Sequence, residues 1–176
     1  LFTQSGGKLK FRDEDEVFIP NIYPSKQISI GSCNGDFTLN EIIKNSSNSL
    51  KEFLEIENTE YENLNIINSI ETDKRNIWLL PSDKVIGKTK PFVDYQNDAT
   101  AKDIKLALRE GFRSIEHVKR YTTTGMGTDQ GKLGNMHALG IISDTADAKM
   151  GELGTTTFRP PYTPLTFGTI VGRNVG

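Results

Sequence analysis

The chain has 176 residues, 35% hydrophobic and 25% charged, with a formal net charge of −2 at pH 7, enough for one ordinary domain or two small ones. The near-neutral balance leaves no electrostatic footprint for nucleic acid or an anionic membrane, and runs such as Ile77-Trp78-Leu79-Leu80 are far too short to span a bilayer, so neither partner is expected. The single cysteine, Cys33, excludes an internal disulfide, a cysteine-only zinc site and a thiolate-ligated iron–sulfur cluster within the chain.

The opening residues, Leu1 to Gly6, lack the basic and apolar regions of a secretory signal. With leucine at the start and Gly-Arg-Asn-Val-Gly at the close, the chain reads as a fragment or a processed product, and a reducing cytoplasmic location fits it. Lys8 to Phe11 alternates polar and apolar residues, and Val17-Phe18-Ile19 resumes after the acidic turn Asp13 to Glu16, which predicts a hairpin. Gln27 to Ile30 reads as a strand running into Gly31-Ser32-Cys33-Asn34-Gly35, and a helix is expected from about Thr38 to Glu55, with Leu39, Ile42, Ile43, Leu50 and Leu54 broadly on one face. Residues 56–75 are rich in Asn and Glu and read as an exposed excursion, and Asn76 to Leu80 as a short strand ended by Pro81.

Beyond Lys90 the pattern becomes helical. Thr100 is placed to cap a helix with Asp103 three residues on; Ile104, Ala107 and Leu108 form its buried stripe, and Gly111 stops it. Ser114 and His117 open a second helix that turns Ile115, Val118 and Tyr121 inward. A third is expected from about Asp129 to Thr145, burying Met136, Leu139, Ile141 and Ile142. The prolines from Arg159 to Pro164 forbid helix and predict an extended, anchored linker. The best boundary between an α/β remnant and the helical module lies near residues 81–90.

Two constellations carry chemistry. The first is the predicted strand, glycine-rich turn and helix from Ile28 to Leu39. Small residues there let a cofactor approach the backbone, and free amides at a helix start favour phosphate or a carbonyl oxygen. It lacks the G-x-G-x-x-G fingerprint, so a plain tight turn is the competing reading. Cys33 reads as a small packed residue more readily than as a redox thiol, and His117 and His137 have no acidic or cysteine partner at ligand spacing. No triad, paired acid/base carboxylates or nucleophile elbow is visible.

The second comprises Phe92-Val-Asp-Tyr-Gln-Asn-Asp-Ala-Thr, then Arg109-Glu-Gly, then Lys119-Arg-Tyr-Thr-Thr-Thr-Gly-Met-Gly-Thr-Asp-Gln-Gly-Lys132. In order and spacing these resemble the bacterioferritin-associated-ferredoxin-type module, which holds a two-iron two-sulfur cluster through C-x-C and a later GMGxCQGxxC. The four ligand positions of that module fall here on Asp94, Gln96, Asp129 and Gly134, none a thiolate. Asp94 and Asp129 are too few to presume a hard-metal site. The hydroxyl- and glycine-rich loop Thr122 to Thr128, beside Lys119, Arg120 and Lys132, either closes on itself or lines a cofactor pocket.

Together with Gly154-Thr-Thr-Thr-Phe-Arg-Pro-Pro-Tyr-Thr-Pro, Gln4-Ser-Gly-Gly-Lys-Leu and Gly31-Ser-Cys-Asn-Gly, these runs resemble the alpha subunits of heterotetrameric sarcosine oxidases over most of the chain. The resemblance implies an α+β chain in three parts. Residues 1–85 would be the C-terminal remnant of a two-dinucleotide-binding α/β domain, 86–150 a small three-helix cluster-type module lacking its cysteines, and 151–176 an extended linker toward a folate-binding domain. It implies NAD in this subunit, FAD and FMN in the assembled enzyme and no iron–sulfur cluster. It also implies beta, gamma and delta partner subunits. The assembly would oxidise sarcosine to glycine, forming hydrogen peroxide and 5,10-methylenetetrahydrofolate from tetrahydrofolate. On that basis Gly31, Ser32, Phe37, Thr38 and Leu39 are the candidate NAD contacts. Thr124, Gly125, Thr128 and Lys132 are the candidate lining of a flavin pocket, and no catalytic residue is assigned. A non-catalytic scaffold, or a subunit of a related amine, proline or opine dehydrogenase, remains the alternative, although those relatives typically keep the four cysteines.

Overall fold

A computed structural model describes residues 2–56, 76–85, 88–156, 158 and 163–173. The chain divides into two compact units, Leu1–Ile77 and Trp78–Gly176, and its described residues mix helices with two small sheets. The excursion predicted at 57–75 and most of the proline-rich stretch, at 157 and 159–162, lie outside the described residues.

In the first unit β1 (Lys8–Arg12) and β2 (Val17–Ile22) form the predicted antiparallel hairpin. Phe11 faces Phe18 across it with ring centroids 4.9 Å apart, a cross-strand aromatic pair of the kind that stabilises an isolated ribbon. Gln27 to Ile30 has no strand partner and is not a strand; the turn after it is a short 3-10 segment, Gly31–Asn34. Arg12 ties that segment to the hairpin by donating to the Gly35 carbonyl at 2.7 Å, while pairing with Asp15. Helix α1 (Leu39–Leu54) begins and ends where its local signals place it. Thr38 accepts from the Glu41 amide and Glu41 returns a carboxylate to the Thr38 amide, a complete capping box, and Glu55 leaves the helix in the left-handed region. No residue of α1 is buried, and Leu39 and Leu54 remain 59% and 56% exposed.

The second unit holds every buried apolar side chain among the described residues. Asn76 to Leu80 is not a strand; Trp78 instead lies over α4 (Asn135–Ala146), its ring at the place where Gly140 would carry a Cβ and edge-on to His137. A two-stranded ribbon, β3 (Phe92–Asp94) and β4 (Ala99–Thr100), leads directly into α2 (Ala101–Arg109). Thr100 and Asp103 form the second capping box, as their spacing predicts. After α3 (Ile115–Thr122), helix α4 runs through the middle, with Ala138 to Ile142 all buried.

Ile104, Ala107 and Leu108 of α2, Ile115 and Val118 of α3, and Leu139, Ile141 and Ile142 of α4 make one core. Each large aliphatic among them contributes roughly 1.5–3 kcal/mol by burial. Tyr121, expected inside, is 46% exposed against Phe112. The third helix starts at Asn135 rather than near Asp129, because 128–134 is occupied by consecutive turns with Gln130 and Gly131 at positive φ. Two short helices, α5 (Met150–Leu153) and α6 (Phe167–Val171), interrupt the segment read as a linker.

Candidate functional site

Asp94, at the first position of the lost ligand set, is 6% exposed and ends β3. Its Oδ1 accepts from the amides of Gln96 at 2.9 Å and Asn97 at 3.1 Å, an Asx turn that folds the β3–β4 connection. Its Oδ2 accepts from the Asn97 side-chain amide at 3.1 Å and from the backbone amide of Gly125 at 2.7 Å. Burial is the largest single influence on this carboxyl and pushes its pKa up. The donors of Asn97, Gly125 and Gln96 together outweigh it and hold the pKa below the ordinary carboxylate value.

Gln96, at the second position, crosses to the same loop. Its Nε2 donates to the Thr128 hydroxyl at 2.6 Å and its Oε1 accepts from the Thr128 amide. Asp129, at the third, accepts from the Leu133 amide through Oδ2 at 3.2 Å, while its buried Oδ1 has no protein donor. Gly134, at the fourth, stands so close to the β3 backbone that a Cβ there would meet the Val93 carbonyl at 2.6 Å. Four positions that would converge on iron in the module this sequence resembles are thus occupied by a hydrogen-bonded clasp and a backbone contact.

These residues do not fit an iron–sulfur cluster. They offer no thiolate, the carbonyl of Val93 fills the space a side chain at 134 would need, and no group of three or more His, Cys, Asp or Glu among the described residues is arranged for a metal. The clasp continues inward. Thr122 donates to the Val118 carbonyl or shares its proton with Thr124, 2.7 Å away, and Asn135 donates to Thr156 at 2.6 Å, all four of these polar side chains being buried. Gly125 has φ +72°, and a side chain on it would collide with Asn135.

Of the residues read as flavin-pocket lining, Thr124 is 2% exposed and hydrogen-bonded within the loop, Gly125 gives its amide to Asp94, and Thr128 is engaged by Gln96. Lys132 is exposed. The candidate NAD contacts lie together at the start of α1. Gly31 has φ +72° and opens the 3-10 segment, Ser32 is exposed, Phe37 and Leu39 are 45% and 59% exposed, and Thr38 is the cap. Its capping box already satisfies the Glu41 amide and sets a carboxylate against the Thr38 amide, which disfavours a phosphate at that spot. A cavity of about 550 Å³ borders Asn34 and is walled by Tyr23, Lys26, Ser29, Glu52 and Phe53. None of the five predicted contacts lines it, although Ile28, Ser29 and Asn34 of the same strand–turn run do. Lys26 lies 5.5 Å above the Phe53 ring, a cation–π contact between residues without a recognisable spacing.

Residues 88–173 match the family model of the sarcosine oxidase A3 domain. The chain is 51% identical over 100 residues to sarcosine oxidase subunit alpha of Rhizobium meliloti (strain 1021), covering 57% of this chain and 10% of that protein. It is 42% identical over 108 residues to the subunit alpha of Corynebacterium sp. (strain P-1), covering 59% and 11%. The chain therefore spans about a tenth of the length of these relatives. In structure it is similar to L-proline dehydrogenase from P. horikoshii, with a TM-score of 0.59 and 20% identity over 98% of this chain and 36% of that one, a likeness of fold. Residues 88–173, just under half of the chain, thus match the sarcosine oxidase A3 domain family, and over this region the chain is similar to part of sarcosine oxidase alpha subunits.

Proposed function

We propose that this segment works inside a multi-subunit sarcosine oxidase, the first unit completing a dinucleotide-binding domain and the second acting as a metal-free spacer that holds interfaces. The observation that carries the reading is the clasp around Asp94, because it supplies by hydrogen bonds the loop closure that ligation would otherwise provide. The first unit's half-exposed helix face, with no buried residue in α1, supports its packing against further protein.

NAD would lie against the start of α1. Phe37 and Leu39 would offer apolar contact to a ring, Ser32 a hydroxyl, and Gly31 close backbone approach. A flavin phosphate would be met by this loop through Lys132 and Thr128. Bound flavins would supply the two-electron chemistry on sarcosine, and this chain's residues contribute binding and spacing only. Two further features belong to this reading: a linker role for residues 151–176 toward a folate-binding domain, and a cytoplasmic location.

The test uses the full subunit assembled with its partners. Sarcosine-dependent hydrogen peroxide release is expected, with NAD extractable from the complex. Phe37→Ala with Ser32→Ala should lower the NAD content while leaving 88–156 folded. An assembled enzyme inert toward sarcosine would overturn the reading, and undiminished NAD in the double variant would overturn the proposed contacts.

A further inference from the structure

A second cavity, of about 450 Å³, lies in the second unit between the segment before β3 and α2. Its apolar wall includes Leu79, Leu80 and Pro91, and three lysines, Lys84, Lys90 and Lys105, line it. No carboxylate lines it, and none of the three ammonium groups has an ion-pair partner among the described residues. Lys105 is half-buried on α2, in a helix whose place is set by the buried Ile104 and Leu108. Lys84 is carried on a tight turn in which its amide donates to the Ser82 hydroxyl at 3.2 Å. The three lysines thus come from a helix and from two points of the preceding segment, and line one concavity. Three like charges around one cavity, with no counter-ion among the described residues, repel one another. A bound anion relieves it.

We propose that this cavity binds a small organic anion of two or more negative charges, its charged end on the three lysines and its apolar body against Leu80 and Pro91. A phosphate ester and a dicarboxylate share this chemistry. The site is separate from the clasp at Asp94.

The experiment is calorimetric titration of the full chain at constant ionic strength with phenyl phosphate and, in a parallel arm, phthalate. Benzoate serves as the monoanion of similar body. Saturable one-to-one binding is expected for at least one dianion, and the tighter arm identifies the source class. Combined Lys84→Gln, Lys90→Gln and Lys105→Gln should weaken it by about tenfold, each exposed pairing contributing a few-fold at most. Far-ultraviolet circular dichroism checks that the triple variant folds; if it does not, the single variants replace it, each expected to weaken binding by about twofold. Absence of saturable heat from either dianion, equal affinity for benzoate, or unchanged affinity in folded lysine variants would overturn the proposal.

Discussion

The Oδ2 atom of Asp94 accepts a 2.7 Å hydrogen bond from the backbone amide of Gly125, thirty-one residues further along the chain. That bond joins the β3–β4 connection to the turn that precedes α4, and Gln96 to Thr128 repeats the link a few residues away. A carboxylate with four amide donors is an effective hub because its two oxygens together offer about four lone-pair sites.

Asp94→Ala leaves the Gly125 amide and the turn amides of Gln96 and Asn97 without their acceptor. We expect a loss of about 3 kcal/mol in unfolding free energy, since each buried orphan costs roughly 1–3 kcal/mol. Asp94→Asn keeps one acceptor oxygen and should cost about 1–2 kcal/mol. Urea unfolding, read at unchanged slope, measures both.

The same residue sets an acid limb. The folded pKa of Asp94 is held below its ordinary value, so its contribution is fully present above the unfolded pKa near 3.9 and is lost as pH falls through the folded value. Wild type should therefore exceed Asp94→Asn in stability by a constant margin from about pH 5 to 7, and the margin should narrow below about pH 4. A margin that widens on acidification contradicts the assignment.

Gln96→Ala removes both bonds to Thr128. Because Gln96 is exposed, the expected cost is about 1 kcal/mol. Hydrogen exchange at Thr128 should accelerate by roughly fivefold, while amides in the middle of α4 keep their protection until global unfolding.

Metal removal should change nothing in this fold. Stoichiometric iron is not expected in the purified chain, and its thermal midpoint should be the same with and without chelator. Iron at one or more equivalents, with a thiolate-to-iron absorption band, would contradict the clasp as the organiser of the loop.

Thr100→Ala breaks the capping box at the start of α2, where the hydroxyl accepts from the Asp103 amide and Asp103 accepts from the Thr100 amide. The expected cost is about 1 kcal/mol. Asp103→Ala in the Thr100→Ala background should cost less than it does alone, since the two act as a pair; a double-mutant cycle measures the coupling.

What could be read in advance follows the range of the forces involved. The caps at Thr38 and Thr100, the hairpin from Lys8 to Ile22 and the buried stripes at Ile104, Ala107, Leu108 and Leu139 rest on neighbours a few residues apart, and those spacings are written in the sequence. The strand read at Gln27 to Ile30 failed for the opposite reason. Its alternation is compatible with a strand, but a strand exists only when another segment offers it hydrogen bonds, and none of the described residues does.

The site divides in the same way. The identity of Asp94, Gln96, Asp129 and Gly134 as non-thiolates was legible from spacing. What those residues do instead was not. The pairing of Asp94 with Gly125, of Gln96 with Thr128 and of Asn135 with Thr156, like the gathering of Lys84, Lys90 and Lys105 around one cavity, joins positions between 6 and 32 residues apart. Local propensity carries no information about which distant amide or ammonium group arrives beside a given side chain. The packing of α3 and α4 against α2 brings those groups together, because burying their apolar faces fixes the loops between them.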